Sequence, residues 1–195
     1  MLTQQSPQEL SQVKLALERE QRVVRFRGLV YIFWGLIVAK CFLAEWAVQV
    51  YRMPFSSLYV WMPTMIFAAV CTWVYAGAAL KETPTRPLTG KYVSAIWGGC
   101  LMACVLLTTL AIGAANISLT ILPAMFAVVI GVGYFIHSVI DHRFLFKLTA
   151  YGWWAACVAL SLQTSVNNFA WFALAILLLQ TAPTTWLHIN GRSKG

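Results

Sequence analysis

Residues 29–51 have the sequence LVYIFWGLIVAKCFLAEWAVQVY, a run of 23 residues flanked by Arg27 and Arg52. An α-helix of this length rises about 35 Å, enough to cross the roughly 30 Å hydrocarbon layer of a membrane. Only Lys40 and Glu45 within the run bear a formal charge. The stretch therefore predicts a transmembrane helix.

The composition of the whole chain supports the same interpretation. Of its 195 residues, 60% are apolar and 10% are charged, whereas soluble domains are about 45–50% apolar and about 25% charged. So few charged side chains cannot cover the surface of a soluble protein of this size. These values exclude a disordered chain, a disulfide scaffold and an ordinary soluble enzyme domain.

Five more apolar runs of similar length follow the first one. The predicted spans are residues 29–51, 58–80, 92–113, 117–140, 144–162 and 166–187. The connectors at 52–57, 114–116 and 163–165 are short and nearly uncharged, so consecutive spans must lie side by side. The sequence therefore predicts an all-α, polytopic membrane protein with six transmembrane helices arranged as three helical hairpins.

The positions of the basic residues predict the orientation of these spans. Twelve of the fourteen Lys and Arg fall on one side of a six-span chain, and Arg52 alone falls on the other: Lys14, Arg19, Arg22, Arg25, Arg27, Lys81, Arg86, Lys91, Arg143, Lys147, Arg192 and Lys194. Basic residues are retained in the cytoplasm, so we expect both termini there. Because these residues mark helix ends and form no continuous basic face, the net charge of +8 does not indicate nucleic-acid binding.

The polar segment before the first span predicts a separate cytoplasmic amphipathic helix at residues 1–28. Ser6, Pro7 and Glu9 form a capping box, and Leu10, Val13 and Leu17 recur at helical spacing. Arg19, Arg22, Arg25 and Arg27 stand next to the membrane and suit its anionic headgroups. Three interpretations stay open: an interfacial helix, a short coiled coil, and a helix at 7–27 that docks a cytoplasmic protein partner. Residues 29–188 then form the transmembrane domain and 189–195 a cytoplasmic tail.

Small residues at four-residue spacing predict close helix packing in the third and fourth spans. In lipid, small side chains let two helices approach each other closely. We expect these spans to form the centre of the bundle, and the sequence leaves open whether copies of the chain also associate. The predicted packing residues are Ser94, Ala95, Gly98, Gly99 and Ala103 in the third span, and Ala127 and Gly131 in the fourth.

Two pairs of ionisable residues are candidates for an intramembrane polar site. Lys40 lies deep in the first span, and Glu45 follows at a helical offset of about 140°, so the two do not stack directly. His137 and Asp141 stand one helical turn apart at the end of the fourth span, where they can contact each other. Each pair is either structural or functional. The sequence has no motif for a catalytic, metal or cofactor site, so we expect no cofactor and no metal.

The functional hypotheses follow from these features. The first is a non-enzymatic membrane protein that acts through helix packing and through its N-terminal helix. The alternatives are a small transporter or channel that uses Lys40 and Glu45, and a membrane enzyme that uses His137 and Asp141. In outline the chain resembles small six-span bacterial inner-membrane proteins built from helical hairpins, including acid-resistance membrane proteins. That resemblance implies a bacterial inner-membrane location and transfers no function.

Overall fold

The structure is a computed structural model that describes the backbone of residues 7–56, 58–80, 88–113, 118–163 and 165–190. Side chains are described for 28–56, 58–77, 90–113, 118–163 and 165–189. These residues contain helices and no strand. The helices are α1 Pro7–Val50, α2 Leu58–Leu80, α3 Leu88–Gly113, α4 Leu122–Asp141, α5 Phe144–Ser161, α6 Asn167–Ala175 and α7 Ala182–Asn190.

Six stretches of these helices are long and apolar enough to cross a membrane, which confirms the predicted number of spans. Their ends lie within three residues of the predicted ends. The chain is therefore a multi-pass membrane protein. The six stretches are Gly28–Val50, Leu58–Gly77, Gly90–Gly113, Leu119–Asp141, Phe144–Ser161 and Asn167–Ile189.

The first helix contains residues of both the predicted N-terminal segment and the first predicted span. Helix α1 continues from Pro7 to Val50 without a break at Gly28, so the N-terminal segment and the first span form one element. Glycine costs only about 1 kcal/mol relative to alanine inside a helix. The backbone hydrogen bonds of a helix that continues on both sides of Gly28 contribute more free energy than this cost. Gly28 therefore does not end α1.

The six spans are not equally buried. Of the residues in the second and third spans, 6% are buried, against 39% in the fourth. Helix α2 packs on α1, and α3 packs on α4, while α1, α4, α5 and α6 surround a common core. We call the end of the bundle at Gly28, His142 and His188 the terminal end. The end at Val50, Thr120 and Gln163 is the far end.

Aromatic side chains fill the centre of this core. Phe42 of α1 lies 4.6 Å from Phe172 of α6 between ring centroids, in an edge-to-face arrangement. Phe126 of α4 and Trp153 of α5 lie 6.3 and 5.5 Å from Phe172. Such pairs add about 0.5–1.5 kcal/mol each to the contact area that they bury. The aromatic core therefore joins four spans.

The last span is interrupted by one turn of π-helix at Ile176–Thr181, between α6 and α7. Pro183 lies two residues after this turn and has no N–H to donate to the helix. The hydroxyls of Thr184 and Thr185 donate to the carbonyls of Gln180 and Thr181, each at 2.7 Å. These hydrogen bonds supply donors to backbone carbonyl oxygens within the span, where a carbonyl without a partner would cost free energy.

Candidate functional site

The structure separates the two charged residues of the first span. Lys40 is exposed on the outside of the bundle, whereas Glu45 is 9% exposed and faces α2. Among the described residues, Lys40 has no ion pair or hydrogen bond, and Glu45 has no ion pair. The two side chains point to different sides of α1 because they are offset by about 140° around the helix axis. Lys40 and Glu45 therefore line no common polar path in the described part of the chain.

Glu45 is held by hydrogen bonds between α1 and α2. The indole Nε1 of Trp61 donates to Oε2 at 3.3 Å, and the amide Nε2 of Gln49 donates to Oε1 at 3.1 Å. Nearer the terminal end, Trp34 Nε1 donates to the hydroxyl of Thr72 at 2.9 Å. The carboxylate thus belongs to one of two polar contacts that fix the antiparallel register of α1 and α2.

His137 and Asp141 do come together, as their spacing predicts. His137 Nε2 lies 3.0 Å from Asp141 Oδ2, and His137 Nδ1 lies 3.4 Å from the hydroxyl of Tyr31 on α1. A neutral ring that donates from Nε2 to the carboxylate accepts at Nδ1 from the phenol. The ring also stacks on Phe146 of α5 at 4.6 Å between centroids.

This arrangement leaves the imidazole no free nitrogen for a substrate. His137 is 1% exposed, and both ring nitrogens have partners within the bundle. His142 is exposed and ends α4 with a left-handed backbone conformation, φ 50°. No three His, Cys, Asp or Glu of the described residues are grouped so that they could hold a metal ion. The geometry suits a structural contact that joins α1, α4 and α5.

Two further polar groups near His137 were not singled out by the sequence. Trp97 of α3 lies 5.4 Å from Tyr31 and 5.0 Å from Tyr134 between ring centroids. Within the described part of the chain, the Trp97 indole N–H and the Tyr134 hydroxyl are buried without a hydrogen-bond partner. Trp97 and Tyr134 lie within long apolar spans that contain other aromatic residues, so no local sequence pattern indicates that these two polar groups face inward.

The predicted packing residues divide between two environments. Ala127 and Gly131 of α4 are buried, and a Cβ at Gly131 would overlap the indole of Trp154 on α5. In α3, Ala103 is half-buried, whereas four residues lie on its exposed face: Ser94, Ala95, Gly98 and Gly99. A Cβ at Gly98 or Gly99 would meet no atom within 4 Å. The close approach at Gly131 is to α5, whereas Gly133 of the same helix approaches Cys100 and Trp97 of α3.

The four predicted membrane-surface residues have helical backbone within α1: Arg19, Arg22, Arg25 and Arg27. Their side chains lie outside the described residues. The predicted tail at 189–195 also lies mostly outside them, since the described chain ends at Asn190. The structure therefore describes no side-chain contact between these arginines or this tail and the polar residues discussed above.

One polar residue of the far end has a larger structural role than its sequence context indicates. Asn168 is fully buried, and its side-chain amide donates to the carbonyls of Thr120 and Leu160, both at 3.0 Å, and to that of Gln163. Asparagine in a short turn between spans is common, so no feature of the sequence separated Asn168 from its neighbour. One side chain therefore joins the start of the fourth span, the end of α5 and the start of α6.

Comparison with known proteins gives no relative. No protein-family model matches the chain, and neither a curated protein nor a solved structure is significantly similar to it.

Proposed function

We propose that this chain is a non-catalytic membrane protein that binds a cytoplasmic protein partner through residues 7–27 of α1. The continuity of α1 from Pro7 to Val50 supports the proposal. An unbroken helix keeps its direction, so the 21 residues before the first span would extend about 30 Å from the bundle. This favours a docking helix over one that lies flat on the headgroups. We call this segment the N-terminal arm.

The proposal includes an orientation and an arrangement. The positive-inside rule places both termini and the arm in the cytoplasm, and the layout suits a bacterial inner membrane. Contacts of α1 with α2, of α3 with α4 and of α5 with α6 are compatible with three helical hairpins. The sequence pattern gives the arm an apolar face that could meet a partner, with Leu10, Val13 and Leu17 on it.

The alternatives have less support from the geometry. A transporter that uses Lys40 and Glu45 needs both on one path, and Lys40 faces outward while Glu45 is enclosed. An enzyme that uses His137 needs a free ring nitrogen, and both nitrogens are hydrogen-bonded. We therefore retain the binding function alone.

Substitutions on the two sides of the arm test the proposal. Val13→Ser with Leu17→Ser removes the apolar face, whereas Leu15→Ser changes the other side of the same helix by an identical substitution. We expect the double variant to lose proteins that co-purify with the wild type in gentle detergent, and Leu15→Ser to keep them. Identical sets of co-purifying proteins from all three would refute a docking role for the arm.

A further inference from the structure

The outward side of the first span has a regular seven-residue pattern. Seven residues of α1 alternate at spacings of four and three, and we call them the Lys40 stripe: Leu29, Phe33, Leu36, Lys40, Leu43, Ala47 and Val50. Leu36, Lys40, Leu43 and Val50 are exposed, and the other three are half-buried. This repeat is the one by which two helices pack along a left-handed crossing, in water and in membranes.

Lys40 stands at the centre of this stripe and at the middle of the bilayer. It is ten residues from Val50 and twelve from Gly28, which places it about 15 Å from the nearer end of the span. Helical side chains lean towards the N-terminus, so Lys40 leans towards the more distant end. Its ammonium cannot reach the headgroups over that distance. No other described Lys or Arg lies so far inside a span.

A lysine at this depth costs about 2.5–3.5 kcal/mol on insertion scales, and charged residues within spans pair with one another or with backbone carbonyls. Within the described residues, Lys40 has no such partner. The chain has six acidic residues in all, and only Glu45 lies within the depth of the membrane away from a span end. Glu45 is buried against α2 and already accepts two hydrogen bonds. A carboxylate that pairs with Lys40 would therefore have to come from another molecule.

A second copy of the chain does not provide it. Two copies in one membrane share one orientation, so a two-fold contact through the Lys40 stripe would place the two Lys40 side chains next to each other. Like charges in hydrocarbon repel strongly. Anionic lipid does not provide the carboxylate either, because its charge lies at the headgroups.

We propose that the Lys40 stripe binds a transmembrane helix of a different protein, one that has Asp or Glu at the middle of its span. The flanking leucines supply packing, and the ion pair sets the register, as a single polar residue does in a heptad interface. This surface lies inside the membrane. The inference therefore goes beyond the proposed function and does not depend on the N-terminal arm.

The test uses designed peptides and the full-length protein in liposomes. Three 23-residue leucine–alanine helices share one heptad stripe and differ only at its central position, which is Glu, Leu or Lys. Energy transfer between a labelled peptide and the labelled protein reports association. We expect the Glu helix to bind the wild type about tenfold more tightly than the Leu helix. Lys40→Leu should bind both equally, and Lys40→Glu should prefer the Lys helix.

A matched control distinguishes binding by the Lys40 stripe from binding by a lysine at any position within the membrane. Leu101 is exposed near the middle of α3, so Lys40→Leu with Leu101→Lys moves the charge to another span at similar depth. This variant should not recover the preference for Glu. Equal binding of the Glu and Leu helices by the wild type would overturn the proposal, as would recovery of the preference by the relocated lysine. Gel filtration checks that each variant is folded.

Crosslinking in the native membrane provides an independent measurement. A benzophenone amino acid at Leu43 should crosslink to a membrane protein segment that contains Asp or Glu at mid-depth, and replacing that acid by Leu should abolish the crosslink. Crosslinks from Leu43 to lipid alone, or to a second copy, would refute the proposal. The full-length variant with Val13→Ser and Leu17→Ser should still bind the Glu helix, so a failed test of the arm and a failed test of the stripe are distinguishable.

Discussion

Two neighbouring asparagines at the far end have opposite hydrogen-bonding roles. Asn167 accepts through Oδ1 from the indole N–H of Trp46 at 3.0 Å, whereas Asn168 donates from Nδ2 to three carbonyl oxygens. Aspartate keeps the acceptor and removes the donor. We therefore expect Asn168→Asp to destabilise the protein by about 3 kcal/mol or more, since a buried carboxylate would face carbonyl oxygens. Asn167→Asp should be nearly neutral. Thermal unfolding in detergent measures both.

The leucine variant refines this comparison. Asn168→Leu removes the donor without adding a charge, so it should destabilise by about 1–3 kcal/mol, the cost of leaving buried acceptors unpaired. The expected order of melting temperatures is wild type and Asn167→Asp highest, then Asn168→Leu, then Asn168→Asp. Equal melting temperatures for the two aspartate variants would show that the amide of Asn168 does not hold the three spans together.

These residues show what sequence analysis misses at the scale of one side chain. The charge and depth of Lys40 and Glu45 were evident, because an ionisable residue in a long apolar run is rare. The spacing of His137 and Asp141 also predicted their contact, which is local to one helical turn. The partners of Asn168 lie as far as 48 residues away in the sequence, and no local pattern indicates such contacts.

At the scale of helices, two glycines should respond in opposite ways to the same substitution. A Cβ at Gly131 would overlap the Trp154 indole, whereas one at Gly98 would contact nothing within 4 Å. We therefore expect Gly131→Ala to destabilise the protein, because the indole must shift within a packed interface. Gly98→Ala should be neutral or stabilise by up to about 1 kcal/mol, as alanine favours a helix over glycine. Thermal unfolding in detergent measures the difference.

Gly98 also tests the open question of association between copies. If the exposed small residues of α3 pack against a second copy, Gly98→Ala would weaken that contact and lower the apparent mass in gel filtration. An unchanged mass with unchanged or raised stability would show that Gly98 does not belong to a contact between copies.

The helices themselves were predictable because the free energy of insertion adds up along a continuous apolar segment. The bounds of the six spans accordingly agree within three residues. The choice of packing partner was not predictable, because a small residue such as Gly131 indicates close approach without naming the neighbour. The change from polar to apolar composition near Gly28 does not show whether a helix continues across it, so the continuity of α1 is a property that only the structure describes.

At the scale of the whole molecule, the charge distribution predicts which side of the membrane each connector occupies. Six crossings put both termini on one side, and twelve of the fourteen basic residues belong to that side, so translocation of these residues is disfavoured. All five cysteines lie within spans and are free thiols. A chain with each cysteine replaced by alanine therefore accepts a single new cysteine at a connector as a reporter of sidedness.

We expect Ser56→Cys and Ser165→Cys, both at exposed residues of the far end, to react with a membrane-impermeant maleimide added to intact cells. His142→Cys, at the terminal end, should react only after the cells are permeabilised. Labelling of His142→Cys in intact cells, with protection of the other two, would reverse the orientation and place the N-terminal arm outside the cytoplasm. Such a result would remove the cytoplasmic partner from the proposed function. The Lys40 stripe would be unaffected, since Lys40 stands at the middle of the bilayer in either orientation.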